Sequence, residues 1–214
     1  IEDAAQSFGA SYKQKKSCSF GDVAATSFYP AKPLGCYGDG GAIFTNNLDQ
    51  ADLYKSIRVH GQDQDKYDNV RIGLNSRLDT IQAAVLLNKL NIFDNELKLR
   101  NDIADYYNEN LKKYVKIPKV KANYISSWAQ YSILLGSNTE RKELIQLLQD
   151  HGIPTSIFYK KPFNELGIYS ELSDDDYPIS NNLSKKILSL PMHPYLSKGE
   201  LNKVISVIQG YYND

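Results

Sequence analysis

Asp22-Val23-Ala24-Ala25-Thr26-Ser27-Phe28, Tyr29-Pro30-Ala31-Lys32-Pro33-Leu34-Gly35 and Gly38-Asp39-Gly40-Gly41-Ala42-Ile43-Phe44-Thr45 read as a strand, a stiff loop and a second strand. Small and β-branched residues fill the first run, which suits a buried parallel strand. The next strand starts at Gly41 and is closed by Asn46-Asn47. Between them Lys32 is flanked by Pro30 and Pro33, which fix the backbone and remove donors, so the amine is presented in one direction. Gly35, Gly38, Gly40 and Gly41 lack the Lys-Ser/Thr ending of a P-loop and the spacing of a dinucleotide fingerprint. They read as turn glycines that allow close backbone approach.

Upstream, Ile1-Glu2-Asp3-Ala4-Ala5-Gln6 reads as the end of another strand that delivers the carboxylate of Asp3. A carboxylate and a lysine brought from neighbouring strand ends meet the requirement of pyridoxal phosphate chemistry. The lysine forms the Schiff base, and the acid keeps the pyridine nitrogen protonated.

These blocks carry a resemblance. Asp3-x-x-Gln6, then Ser27-Phe28-x-x-x-Lys32-x-Leu34-Gly35-x-x-Gly38-Asp39-Gly40-Gly41, then Gly73-Leu74-Asn75-Ser76-Arg77-Leu78-Asp79-Thr80-Ile81-Gln82-Ala83-Ala84 and finally Ser189-Leu190-Pro191-Met192-His193-Pro194 resemble the DegT/StrS-type nucleotide-sugar aminotransferases. The resemblance runs in order from the first residue nearly to the last. It implies an α/β fold: the C-terminal part of an aspartate-aminotransferase-like (fold type I) large domain with a mixed, mostly parallel sheet, plus a small α+β C-terminal domain. Lys32 is then the catalytic lysine that also moves the proton, Asp3 the partner of the pyridine nitrogen, Gln6 a contact of the ring or its 3-oxygen, and Ser27 a phosphate contact. Asn75 matches an asparagine that reaches the phosphate of the neighbouring subunit's cofactor, which implies a homodimer with shared active sites. Arg77 is open between an anionic group of the substrate and a helix-start pairing with Asp79. Tyr159 is a candidate sugar contact; relatives place a His-Tyr pair there, and this chain has Phe158 in place of the histidine.

The implied reaction transfers an amino group from an amino-acid donor, expected to be glutamate, to the keto carbon of a nucleotide-linked sugar. Arg58-Val59-His60-Gly61-Gln62 and Lys66-Tyr67-Asp68-Asn69-Val70-Arg71-Ile72-Gly73 look most like members acting on a 3-keto sugar, including 3-keto uronic acids. The product would feed surface polysaccharide, lipopolysaccharide or glycan synthesis. Dehydratases of the family carry histidine at the position of Lys32, so the lysine argues against them. A non-catalytic regulatory or dimerisation relative is the alternative, as is an inactive truncated fragment. The chain opens on Ile1, in what reads as a strand whose earlier residues are absent, and is expected to lack the family's N-terminal region.

Bulk properties narrow the partners. Lys and Arg number 25 and Asp and Glu 25, with no basic stripe, which disfavours nucleic acid and anionic membranes. No apolar run approaches the roughly 18 residues a spanning helix needs. Cys18 and Cys36 form neither a CxxC motif nor a disulfide framework, and a reducing cytoplasm is expected. His60, His151 and His193 lack ligand spacing, so no metal site is expected.

A large-domain part over 1–100 and a small domain over 101–214 are expected. Helices are expected from Leu48 to about Val59, from Asp79 to as far as Tyr114, from Asn138 to about His151, over Pro178–Leu190 and over Ser197–Tyr211. In the long second helix Ile81, Ala84, Val85, Leu87, Leu90, Phe93 and Leu97 recur at helical spacing, and Ser197 with Glu200 has capping-box spacing. Strands are expected over Tyr124–Leu135 and Thr155–Tyr159, and Asp174-Asp175-Asp176 is a short acidic run.

Overall fold

The computed structural model describes residues 1–169, 171–172 and 176–213, so Asp174 and Asp175 of the acidic run lie outside the described residues. It divides into two units, Ile1–Lys98 with Val120–Ala129, and Leu99–Lys119 with Gln130–Asp214.

In the first unit, β1 (Glu2–Asp3), β4 (Val23–Ser27) and β5 (Gly41–Thr45) form a mixed sheet in the order β1-β4-β5. β1 runs parallel to β4, and β5 runs antiparallel to it. A second sheet pairs β2 (Ser11–Tyr12) with β3 (Lys15–Lys16) and with β6 (Tyr124–Ile125), all antiparallel. The two-residue turn of that hairpin puts Lys13 and Gln14 at φ 48° and 67°. Positive φ at both central positions matches the right-handed twist of the strands, although neither residue is the usual Asn or Gly. Helix α1 (Leu48–Arg58) starts at Asn47, whose side chain accepts from the Gln50 N–H at 3.0 Å. Helix α2 (Thr80–Leu111) begins where the Asp79 carbonyl accepts from Ala83 N–H. Phe28, Leu34, Cys36, Leu86 and Phe93 make the core here, with Phe8 packed edge-on against Phe28 at 6.0 Å.

The second unit is built on β7 (Tyr131–Leu134) and β8 (Ile187–Leu190), paired antiparallel with Tyr131 opposite Leu190. Helix α3 (Asn138–Asp150) is capped by Ser137, and Gly152 at φ 69° turns the chain out of it. Helix α5 (Lys198–Asn213) opens with a reciprocal capping box, Ser197 N–H to Glu200 Oε2 at 2.8 Å and Glu200 N–H to Ser197 Oγ at 3.2 Å. Tyr107, Leu111, Tyr131, Ile133, Leu144, Leu148, Leu188 and Ile208 are its largest fully buried side chains among the described residues.

Three expectations need correction. Pro178–Leu190 is not one helix: α4 (Pro178–Ser184) stops early, and Ile187–Leu190 pairs as β8. Tyr124–Leu135 is two strands, because Trp128 turns at φ 47° with its ring buried. Thr155–Tyr159 contributes only an isolated bridge, Ser156 to Ser189. In α2 the buried apolar stripe is Leu86, Phe93, Leu97, Ile103, Ala104, Tyr107 and Leu111, whereas Ile81, Leu87 and Leu90 are exposed.

Candidate active site

Parallel pairing of β1 with β4 sets Glu2 opposite Ala24 and Asp3 opposite Ala25. Side chains alternate across a sheet, so Asp3, Ala25 and Ser27 share one face, and Glu2, Ala24 and Thr26 the other. Ala24 and Thr26 are buried, while Asp3 and Ala25 are exposed. Both strands end in the same direction, which puts Asp3 and Ser27 at the carboxyl edge, where open α/β sheets carry ligands. The Ala4 N–H extends the ladder to Ala25 O at 2.8 Å, and Thr26 Oγ1 donates to Ala4 O at 2.9 Å. Asp3 Oδ1 accepts from the Ala5 N–H at 3.0 Å, a turn that holds the carboxylate at the strand end. On the opposite face Glu2 accepts from the Cys18 and Phe20 N–H groups at 2.7 and 2.9 Å. Burial raises the Glu2 pKa, but the N–H donors of Phe20, Cys18 and Gly21 outweigh it and hold the carboxyl below its ordinary 4.5.

Lys32 comes off the loop that follows Ser27. Phe28 closes this loop at its base, donating to Gly40 O and accepting from Cys36 N–H, both at 2.8 Å. The buried Cys36 thiol lies 3.0 Å from the carbonyls of Phe28 and Gly38. Gly35 is required by packing, since a Cβ there would stand 2.6 Å from Pro30 O and 2.8 Å from Tyr29 O. At Gly41 a Cβ would stand 2.8 Å from Thr26 O. Ser27 Oγ accepts from Tyr29 N–H at 3.2 Å, and the Lys32 N–H bonds Tyr29 O at 2.9 Å. Lys32 is half-buried, and its amine has no partner among the described residues. The Gln6 carbonyl accepts from Ser127 Oγ at 2.9 Å, which ties the start of this region to the segment after β6.

Asn75 and Arg77 lie on a strand-like segment hung along the end of α1. Asn75 bridges Val59, the Ser76 N–H bonds Arg58 O at 2.9 Å, and Arg77 Nε donates to Asn75 Oδ1 at 3.1 Å. Arg77 thus bonds Asn75, and no ion pair joins it to Asp79 among the described residues. Both residues line an open groove of about 1080 Å³ that also touches Ala25, Gly41, Ile43 and Arg58. Asp3, Ser27 and Lys32 are not among the groove's lining residues. Tyr159 belongs to the second unit, exposed, with its ring edge-on to Phe158 at 5.6 Å. Among the described residues no group of three or more His, Cys, Asp or Glu could hold a metal ion, and no helix is long and apolar enough to cross a membrane.

Gln82 and Lys89 were not singled out by sequence reasoning, yet both bond the lysine loop. The available signal was their seven-residue separation, which places them on one helix face around the core residue Leu86.

Comparison with known proteins shows the family and the fold. The chain is 44% identical over 97% of its length to the UDP-2-acetamido-2-deoxy-3-oxo-D-glucuronate aminotransferase of Pseudomonas aeruginosa. It is 37% identical over 99% of its length to the dTDP-3-amino-3,6-dideoxy-alpha-D-galactopyranose transaminase of Aneurinibacillus thermoaerophilus. It spans 57% of the length of each of these relatives. The crystal structure of a DegT DnrJ EryC1 StrS aminotransferase from Brucella abortus superposes with a TM-score of 0.95 at 52% identity, covering all of this chain and 57% of that one. The fold is therefore the α/β aminotransferase fold that the resemblance implied. The model of the DegT/DnrJ/EryC1/StrS aminotransferase family matches residues 1–209, and the chain belongs to that family.

Proposed function

We propose that the complete protein is a pyridoxal-phosphate-dependent aminotransferase that moves an amino group from glutamate to the 3-keto carbon of a nucleotide-linked sugar, a uronic acid in the first instance. The observation that carries this reading is the shared sheet end of Asp3, Ser27 and the Lys32 loop, in a chain 44% identical to an aminotransferase named for a 3-oxo-glucuronate sugar nucleotide. The donor set fits the cofactor: a carboxylate and a hydroxyl on one open face, and a half-buried amine with no competing partner among the described residues.

When bound, pyridoxal phosphate supplies an aldehyde and an electron-accepting ring. Asp3 keeps the ring nitrogen protonated, Gln6 packs against the ring or its 3-oxygen, and Ser27 donates to the phosphate. Lys32 Nζ would hold the cofactor and, once the donor's amine displaces it as a free amine, take the proton from the donor's α-carbon and later return one to the sugar carbon. Asn75, acting across a homodimer, completes the phosphate site. Arg77 meets an anionic group of the substrate, and Tyr159 contacts the sugar. Ile81 and Leu87, exposed on α2, support an apolar contact of the kind a dimer buries. The reaction belongs to cytoplasmic synthesis of precursors for surface polysaccharide, lipopolysaccharide or glycan.

The test is a substrate panel on the complete protein, with 3-keto and 4-keto nucleotide sugars and with glutamate or glutamine as donor. Turnover of the 3-keto sugar with glutamate is expected. Turnover of 4-keto sugars alone would contradict the assignment.

A further inference from the structure

We infer that Gln82 and Lys89 are positioning residues for Lys32, forming a polar latch between helix α2 and the lysine loop. The inference rests on the proposed role of Lys32. Gln82, Leu86, Lys89 and Phe93 fall at i, i+4, i+7 and i+11, one stripe of the helix. Leu86 and Phe93 enter the core with Leu34 and Cys36, two and four residues beyond Lys32. Gln82 and Lys89, half-buried, bond the backbone of the same loop. Gln82 Oε1 accepts from the Tyr37 N–H at 2.7 Å, and Lys89 Nζ donates to Gly35 O at 2.6 Å. Lys89 Nζ also lies 4.8 Å from the centroid of the Tyr37 ring. Gly38 makes room for this arrangement, since a Cβ there would stand 3.2 Å from Gln82 Nε2.

The two polar bonds act on the segment that carries the amine, on its C-terminal side. The base of the loop is already closed by Phe28 through Gly40 and Cys36. Tyr37 is 75% exposed, so without the latch water could satisfy its N–H. The latch therefore contributes little to global stability and mainly restricts where Lys32 Nζ can go. A misplacement of about 1 Å far from the chemistry can cost roughly 100-fold in rate, so a local device of this kind is sufficient to matter.

The test uses the complete protein with Gln82→Ala, Lys89→Met, Gln82→Glu and Lys89→Arg. Methionine keeps the packing stem of Lys89, while glutamate keeps an acceptor and arginine a donor. Hydrogen exchange of the cofactor-free protein should show residues 33–38 of the Ala and Met variants exchanging about tenfold faster or more, with helix α5 unchanged. With pyridoxal phosphate added, borohydride trapping at Lys32 should slow by about tenfold in the same two variants. Gln82→Glu and Lys89→Arg should recover most of both effects. Wild-type exchange and wild-type trapping in the Ala and Met variants would overturn the latch. Global loss of protection, in α5 as well, would also overturn it, by making the contacts general to the fold. Failure of the wild-type protein itself to trap cofactor at Lys32 would reject the cofactor reading, and hydrogen exchange alone would then decide whether the latch orders the loop.

Discussion

Thr26 donates its hydroxyl to the Ala4 carbonyl at 2.9 Å, a buried bond that joins the carboxyl ends of strands β4 and β1 beneath the open face that carries Asp3 and Ser27. Thr26→Val keeps the shape and removes the donor. The Ala4 carbonyl still accepts from Ser7 N–H at 3.1 Å, so a loss of about 1 kcal/mol is expected, with the urea midpoint as readout. An unchanged midpoint would show that the bond does not hold the strand ends together.

Gly35→Ala sets a methyl group against two backbone carbonyls, at 2.6 and 2.8 Å, and backbone cannot step aside as a flexible side chain does. A loss of about 1–3 kcal/mol is expected. Gly210→Ala in α5 is the control: nothing lies within 4 Å of its added Cβ, and a gain of about 0.5–1 kcal/mol is expected there. Equal effects at the two glycines would contradict the packing argument.

Glu2 gives the first unit a sign-defined response to acid. Its folded pKa lies below the ordinary 4.5, because hydrogen bonds from Phe20, Cys18 and Gly21 outweigh burial. The unfolded chain therefore binds the proton first. The contribution is fully present above pH 4.5 and is lost as the pH falls through the lower folded value. Glu2→Gln should flatten the decline in unfolding free energy measured from pH 5 downward. A decline as steep as in the wild type would exclude Glu2 as its source.

Arg141 is a polar anchor of the second unit. It is buried and donates to Ser184 O at 2.5 Å and to Asn138 Oδ1 at 2.8 Å, and burial lowers its pKa from the ordinary guanidinium value. Replacement by methionine leaves the Ser184 carbonyl without this donor and should cost about 1–3 kcal/mol, read by denaturant unfolding. Lysine, a point charge with no fork, should recover only part of that loss.

What could be read in advance depended on the length of each pattern and on who supplied the partner. β4, β5, α1, α3 and α5 were legible because their runs are local, and the Ser197–Glu200 box caps as its spacing implied; the caps of Asn47 and Ser137 came with the structure. Ile187–Leu190 was misread as helix because its strand character comes from Tyr131–Leu134, more than fifty residues earlier in the chain. The Trp128 break in Tyr124–Leu135 was hidden because positive φ is uncommon for a bulky residue and carries no composition signal. In α2, apolar residues occur on more than one face, so periodicity alone could not say that Leu86 is buried and Leu87 exposed. The delivery of Asp3 and Lys32 from neighbouring strand ends was legible, but that Ser27 shares the face of Asp3 came only with the parallel register of β1 and β4. Gln82 and Lys89 were missed because their targets are backbone atoms, which leave no mark on side-chain patterns.

The most direct measurement is to add pyridoxal phosphate to the complete protein, reduce with borohydride and locate the adduct by peptide mass spectrometry, with Lys32→Ala alongside. One adduct, on the peptide carrying Lys32 and absent from the variant, is the predicted result. Labelling scattered over other lysines, or persisting in Lys32→Ala, would contradict the assignment of this sheet end as the cofactor site.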